Sequence, residues 1–210
     1  MPYTQFHVST EKLGHHYPVV CSDNAGGKHR FYIENAPAAS KKPDLTFCEG
    51  GNNSGRVVGL ARFPRFSSNC EVLIVNDECP KNEDWKTVSK RGFVTMQYSF
   101  HTPVSGEMRS LVWKKTRSMG GGSSPYPNMK LVDEQSGDVL GVFSTDHSSL
   151  VAGDLDMRVN YGESFDRWAF VTGVAVREAQ RRKNNSSVRA LDNRATAGAA
   201  IGGMGAGGGA

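Results

Sequence analysis

Clustered basic residues are the feature of this sequence whose type and spacing best suit the binding of a ligand. One group ends a predicted strand beside a glycine-rich loop, and another ends a long apolar segment near the C-terminus. Cations at one edge of a fold attract anionic groups, and each gains about 1 kcal/mol beside an anionic membrane surface. Their alternative role is to stabilise a helix dipole and keep the protein soluble. The candidate ligand-binding residues are Lys114, Lys115, Arg117, Arg181, Arg182 and Lys183.

Two other segments come close to functional motifs without completing them. Residues 50–57 have two glycines at the spacing of a phosphate-binding loop, but Arg56 and Val57 replace its lysine and its hydroxyl residue. We interpret this segment as a turn between strands. His147 lies beside Asp146 and two serines, yet no nucleophile elbow accompanies them. Residues that are adjacent in sequence do not form a catalytic triad, so we interpret them as a polar loop.

The sequence also contains no pattern typical of a metal or cofactor site. Its four cysteines have no CxxC or CxxxC spacing. Asp154 and Asp156 share one face of a predicted strand, as paired glycosidase carboxylates could, but Arg158 follows on that face. A solvated charged face is the better interpretation. Since no nucleophile, base and orienting group can be assembled, we predict a non-enzymatic protein with no cofactor.

Composition and charge narrow the class of partner. The 210 residues contain 25 Lys and Arg against 21 Asp and Glu, a net charge of +4 that is spread along the chain. Nucleic-acid-binding domains usually concentrate their basic residues more sharply. The N-terminal residues lack the pattern of a secretory signal, and no apolar stretch approaches the ~20 residues that cross a bilayer. We therefore expect a cytoplasmic protein, peripheral at a membrane or nuclear, whose partner is an anionic membrane lipid or a protein.

Short apolar or alternating stretches recur along the first 160 residues, separated by Gly, Pro, Asn and Ser. Each predicts a β-strand, and the connections are too short for crossover helices, so the sheet should be antiparallel. Within 154–161, strict alternation gives the strand one dry face and one wet face. The nine or more predicted strands are residues 29–35, 44–50, 56–63, 70–77, 93–101, 107–116 and 154–161, with a two-stranded hairpin over 129–144.

Residues 163–183 form the one strongly helical segment, although its valine-rich part also has strand propensity. Ser164 suits an N-cap, and acidic residues near the start and basic residues near the end suit the helix dipole. Apolar side chains cover nearly the whole circumference, which is typical of a helix buried on all sides. We therefore predict a mainly β fold, a closed antiparallel β-barrel around this C-terminal helix. The predicted core residues of the helix are Phe165, Trp168, Phe170, Val171 and Val174.

The composition changes after Lys183. Residues 184–210 are mostly Asn, Ser, Ala and Gly, with hardly any large apolar side chain. Such a segment cannot bury enough surface to offset the entropy lost on ordering. We predict a barrel domain over 1–183 and a disordered, Gly/Ala-rich tail over 184–210.

Several segments of the C-terminal half follow one another in a recognisable order of strands, turn and helix. They are residues 111–114, 129–133, 135–138, 139–143, 153–157 and 168–183. This order resembles the tubby C-terminal-like fold of tubby proteins, LURP-one-related proteins and phospholipid scramblases, and most of all its fungal members. The resemblance covers roughly residues 107–183. It implies an antiparallel barrel around a hydrophobic helix, and a domain that binds phosphoinositide head groups through basic side chains that have no residue-by-residue match here.

We therefore expect a non-enzymatic cytosolic binding domain of tubby-like type that engages phospholipid head groups or a protein partner. Two alternatives remain: a lipid-related enzyme or scramblase-like protein, and a nucleic-acid-binding protein. The first lacks a catalytic constellation and an apolar span, and the second has only aromatic-rich strands and a modest positive charge in its favour. Because Arg181, Arg182 and Lys183 lie outside the apolar centre of the helix, we expect their replacement to leave the fold intact.

Overall fold

In a computed structural model, the described residues form twelve β-strands followed by one long helix. The structure describes residues 3–11, 16–23, 26–37, 40–75, 85–92, 96–116, 127–145 and 151–201, and the side chains of the helix as far as Asn185. The elements are β1 (Thr4–Val8), β2 (Tyr17–Asp23), β3 (Lys28–Asn35), β4 (Leu45–Glu49), β5 (Val57–Arg62), β6 (Cys70–Ile74), β7 (Lys86–Arg91), β8 (Gln97–Val104), β9 (Glu107–Thr116), β10 (Asn128–Asp133), β11 (Val139–Thr145), β12 (Gly153–Met157) and α1 (Glu163–Ile201).

The strands form one closed antiparallel barrel. Each strand pairs with its neighbours along the chain, and β12 pairs with β1 from Gln5↔Asp156 to Val8↔Gly153, so that no edge strand is left. Because the strands alternate in direction, the barrel has two distinct ends. The entrance end is where α1 begins, beside Thr4 and Glu49, and the exit end is where α1 leaves, beside Asp44.

The sequence predicts the barrel and locates nine of its twelve strands. The nine predicted strands all appear, as β3 to β6 and β8 to β12, whereas β1, β2 and β7 were missed. The missed strands are short or carry several polar residues, so their alternation is weak. The strand predicted over 154–161 ends at Met157. The predicted alternation places Tyr161 on the dry face of the strand, but Tyr161 is exposed, so the strand does not continue to it.

The helix begins at Glu163, so the predicted N-cap Ser164 lies inside its first turn. Gly162, with φ of 89°, supplies the change of direction before the helix, and its carbonyl oxygen accepts a hydrogen bond from the Asp166 N–H. The helical backbone continues to Ile201, past the predicted end at Lys183. Residues 184–201 contain no proline and one glycine, so no strong local signal ends the helix there.

Aromatic side chains from several strands surround α1 inside the barrel. The ring of Phe170 stacks on Phe6 at 4.6 Å between centroids and meets Phe31 and Phe47 at 5.6 and 5.5 Å. Rings at these distances are in the favourable range for aromatic pairs. The helix is therefore a central packing element, as the apolar circumference of residues 163–183 predicts.

Two glycines allow α1 and the strands to lie close together, and a buried hydrogen bond joins them. A Cβ atom on Gly59 of β5 would lie 2.7 Å from Val171 Cγ2, and one on Gly173 would lie 3.0 Å from Trp113 Cζ2. The buried Trp113 Nε1–H donates to Thr172 Oγ1 at 3.0 Å. This bond satisfies the only polar atom of the indole, which would otherwise be costly to bury.

All five predicted core residues of the helix are buried in the barrel interior. Phe165, Phe170, Val171 and Val174 are almost completely covered, and Trp168 is 8% exposed. The predicted disordered tail over 184–210 stays a prediction, because the side chains beyond Asn185 and all of residues 202–210 lie outside the described part of the chain.

Candidate functional site

The exit end of the barrel holds a buried carboxylate, Glu178, near the point where α1 leaves. Its side chain is completely buried and accepts hydrogen bonds from Tyr17 Oη at 3.1 Å and from Asn35 Nδ2 at 3.2 Å. Tyr17 belongs to β2 and Asn35 to the end of β3. These contacts tie the last buried turn of the helix to two strands.

Two predicted ligand-binding residues, Arg181 and Arg182, are the cationic partners of Glu178. Arg181 Nε and Nη2 donate to its two oxygens at 2.6 and 2.7 Å, and Arg182 Nε donates at 2.8 Å. Arg182 also pairs with Asp44 and donates to Asn35 Oδ1 at 2.9 Å. Their guanidinium groups are thus committed to the protein itself. We therefore now expect their replacement to destabilise the fold rather than leave it intact, since a buried carboxylate would lose its partners.

Two opposing effects set the pKa of Glu178. Burial alone would raise the pKa of Glu178, but the hydrogen bonds and charges of Arg181 and Arg182 outweigh it and hold that pKa below its ordinary value. The same carboxylate acts on Tyr17, whose pKa is raised by burial and by the negative charge of Glu178. At neutral pH the cluster therefore contains a carboxylate, two guanidinium groups and a neutral phenol.

Arg177 is the most deeply buried cation of the described residues. Its Nη1 donates to the Pro127 carbonyl oxygen at 2.7 Å and its Nη2 donates to the Phe143 carbonyl oxygen at 3.2 Å. Its guanidinium also lies 5.2 Å from the centroid of the Phe143 ring. Burial lowers the pKa of Arg177 to about 9, so it stays charged at neutral pH. These contacts hold the helix to β11 and to the residue before β10, a structural role.

Lys183 lines a cleft at the exit end, as Arg182 also does. It is exposed, and its side chain lies close to that of Lys90 on β7. The close approach of Lys183 and its positive charge, together with burial, lower the pKa of Lys90. The cleft has a volume of about 340 Å³. It is lined by Phe63, Phe66, Ser67, Ser68, Asn69, Tyr98, Ala179, Arg182 and Lys183.

The remaining predicted residues do not form a single patch. Lys114 and Lys115 are consecutive on β9 and so point to opposite faces of the strand. Lys115 shares a face with the inward-pointing Trp113 and is exposed at the exit end, whereas Lys114 is on the outer wall beside Lys130. Because β8 separates β7 from β9, Lys115 and Lys90 are two strand spacings apart, roughly 10 Å. Arg117 lies outside the described residues.

The candidate residues predicted from the sequence include neither Asn69, which lines the exit-end cleft, nor Lys90, which lies beside it. Lys90 and Asn69 belong to strands and loops far from Lys183 in sequence, and the Asn69 side chain accepts the Lys90 N–H at 2.9 Å. In the sequence, the local signal for this region is the pair of adjacent basic residues Lys90 and Arg91. Arg91 is paired with Glu134, so half of that signal has a structural role.

A larger pocket of about 740 Å³ opens at the entrance end, between the start of α1 and strands β1 to β4. Its floor includes Phe6, Phe31 and Cys21. The Asp166 carboxylate accepts the Thr4 hydroxyl at 2.7 Å, and burial raises its pKa. Burial also raises the pKa of the Cys21 thiol to about 12, with nearby carboxylates adding to the effect. The thiol is therefore protonated at neutral pH and is a poor nucleophile.

Other sequence candidates lie on the outer surface or outside the described residues. Asp154 pairs with His7 at 2.7 Å, and Asp156 accepts a hydrogen bond from Gln5 at 2.8 Å, both across the β1–β12 pair. Residues 50–56 connect β4 to β5, as predicted, and Val57 is the first residue of β5. His147 lies outside the described residues.

Within the part of the chain that the structure describes, no group of three His, Cys, Asp or Glu side chains could hold a metal ion. The described helix contains no apolar stretch long enough to cross a membrane.

Comparison with protein-family models, with curated protein sequences and with solved structures finds no match to this chain. The closed twelve-strand antiparallel barrel with one helix is compatible with a tubby-like fold, and this architecture is what supports the resemblance seen in the sequence.

Proposed function

We propose that this protein is a non-enzymatic binding domain of tubby-like type that takes the phosphate of an anionic phospholipid head group at its exit end. The observation that carries the proposal is the apposition of Lys90 and Lys183 beside a cleft of about 340 Å³. Two ammonium groups held together repel each other, and a phosphate between them would relieve that repulsion. The hydroxyl groups of Ser67 and Ser68 line the same cleft and can donate to phosphate oxygens.

Arg181 and Arg182 support this site through contacts within the protein, and Arg182 also lines the cleft. They neutralise Glu178 and so fix the end of α1 from which Lys183 extends. Lys115 is exposed at the same end and would meet neighbouring lipid head groups. The proposal places the protein in the cytoplasm, at membrane surfaces, where its buried free thiols Cys21, Cys48 and Cys70 stay reduced.

Co-sedimentation with vesicles tests this function. Vesicles of phosphatidylcholine alone are compared with vesicles that also contain phosphatidylserine or a phosphatidylinositol phosphate. We expect binding only to the anionic vesicles, and weaker binding as salt rises, because the Debye length falls from ~10 Å at 0.1 M to ~3 Å at 1 M. Replacing both Lys90 and Lys183 by glutamine should weaken binding roughly 30-fold, from ~1 kcal/mol per lysine.

The control variant removes the same charge from the opposite end. Lys28 and Lys86 are exposed at the entrance end, at the starts of β3 and β7. The Lys28→Gln, Lys86→Gln double variant should bind anionic vesicles nearly as wild type does. Equal losses in both double variants would mean that net charge, not the cleft, carries binding. No binding of the wild type to any vesicle would favour a protein partner, and turnover of the lipid would favour an enzyme.

A further inference from the structure

Phe66 is an apolar side chain that the fold holds entirely in solvent. It lies in the loop between β5 and β6, at the exit end, and its side chain is fully exposed. Met108, the next most exposed large apolar residue among those described, keeps about a third of its surface covered. A single exposed apolar residue is common on protein surfaces. At Phe66, two further features accompany this exposure: an unusual backbone conformation and nearby cations.

The backbone conformation at Phe66 is one that glycine usually adopts. The Ser67 N–H donates to the Pro64 carbonyl oxygen at 3.2 Å, which closes a β-turn with Phe66 at its third residue. Phe66 has φ of 64°, in the left-handed region that the third residue of a type II turn requires. A bulky aromatic residue there is strained, and such strain is found preferentially at functional sites.

Hydrogen bonds on both sides of the turn hold this loop to the barrel. The Asp44 carboxylate accepts the Phe63 N–H at 2.8 Å, and the Asn69 side chain accepts the Lys90 N–H at 2.9 Å. The loop therefore has a defined position relative to Lys90. Because both ends of the loop are fixed, the direction in which Phe66 points is a property of the fold.

Cations line the same cleft as the exposed ring. Arg65 precedes it and is exposed, and Phe66 lines the same cleft as Lys183, whose side chain lies close to that of Lys90. An aromatic ring among cations is the arrangement of membrane-surface segments, in which the cations meet anionic head groups and the ring enters the boundary of the acyl region. The charges therefore favour an anionic bilayer as the occupant of this surface.

We propose that Phe66 inserts into anionic phospholipid bilayers while Lys90 and Lys183 hold a head group, so that the barrel meets the membrane with its exit end. This proposal rests on the function proposed above, and it adds the bilayer itself, rather than a soluble phosphate, as the ligand. The strained turn is then the device that keeps the ring available for insertion.

Substitution by glycine separates insertion from a structural role. Phe66→Gly removes the ring and relieves the positive φ, so the variant should be at least as stable as wild type. It should nevertheless bind anionic vesicles about tenfold more weakly or worse, because the buried ring no longer contributes. Met108→Gly removes an exposed apolar side chain at the opposite end and is the matched control for binding. Its affinity for vesicles should equal that of wild type.

The depth to which residue 66 enters the bilayer is measured by placing a tryptophan at position 66 or, as the control, at position 108. Phe66→Trp should show fluorescence quenching by vesicles with brominated acyl chains, beyond the signal of the wild-type tryptophans, and Met108→Trp should show none. A soluble inositol phosphate, titrated by calorimetry, reports on the head-group site alone and should bind the Phe66→Gly variant and the wild type equally.

These measurements distinguish the two proposals. Vesicle binding that is unchanged in Phe66→Gly, with no quenching of Trp at position 66, overturns insertion and leaves the head-group site standing. Binding of the soluble inositol phosphate without any binding to vesicles also overturns insertion. If the wild type binds neither vesicles nor the inositol phosphate, the proposed function fails, and insertion fails with it.

Discussion

At the scale of single residues, Glu178 shows how a charge can be visible in the sequence while its role is not. Arg181 and Arg182 follow it by three and four residues, the spacing at which helical side chains meet. That spacing could have indicated an ion pair. What it could not indicate is that the carboxylate is completely buried, which turns a minor surface pair into an anchor for the end of the helix.

Replacing Glu178 by glutamine should cost about 3 kcal/mol of unfolding free energy at neutral pH, because two guanidinium groups lose their buried partner. The pKa of Glu178 is lowered in the folded state, so its stabilisation is complete above the unfolded value of about 4.3 and is lost as pH falls through the folded value. Urea unfolding at several pH values measures this. The difference between wild type and variant should shrink below about pH 4.

The exposed pair between Arg91 and Glu134 provides the control for that experiment. Glu134→Gln should cost less than about 1 kcal/mol, as is typical of surface ion pairs. A cost for Glu178→Gln as small as that of the control, or a difference that grows as the pH falls, would contradict the anchoring role.

At the scale of elements, the fit between α1 and the barrel wall decides stability. The helix was predictable because its apolar side chains cover the whole circumference, but the partner of each side chain depends on strand register. Gly59 is an example: nothing in its local sequence indicates that β5 approaches Val171 so closely that a Cβ would be 2.7 Å from Cγ2. In sequence it resembles any glycine that weakens a strand.

Gly59→Val should destabilise the protein by about 1–3 kcal/mol, because the added side chain overpacks the interior. Removing the opposing methyl groups should recover part of that loss, so that Gly59→Val with Val171→Ala is less destabilised than the sum of the single variants. Thermal or urea unfolding of the four proteins completes the cycle.

Gly51 provides a comparison, since a Cβ there would meet no atom within 4 Å. Gly51→Val should therefore change stability much less than Gly59→Val. Strictly additive effects of Gly59→Val and Val171→Ala would show that the helix does not lie against β5 as described.

At the scale of the whole molecule, the barrel closes around α1 and ends its contacts with it near Arg182. The Arg182 side chain pairs with Asp44 and donates a hydrogen bond to Asn35. Its guanidinium carbon lies 4.5 Å from the centroid of the Phe63 ring. The side chains of the next three residues, 183 to 185, are exposed. The contacts that hold the helix in place therefore come before this point among the described side chains.

Removing residues 186–210 should change the unfolding free energy by less than about 0.5 kcal/mol, because that segment has few side chains able to form a core. Calorimetric unfolding of the shortened chain, compared with the full chain, measures the effect. A loss of several degrees in Tm, or strong protection of these amides from hydrogen exchange in the full chain, would show that the segment packs on the domain.

The sequence alone determined the fold class, because periodicity in strands and an apolar helix circumference are local properties that burial imposes. It also identified the cations, since charge is a property of the residue. Only the tertiary structure decided which cations meet. It commits Arg181 and Arg182 to Glu178 and brings Lys183 to Lys90, contacts set by strand order and register. The tertiary structure likewise decides where the Phe66 side chain points, because the barrel holds the strained turn that contains it.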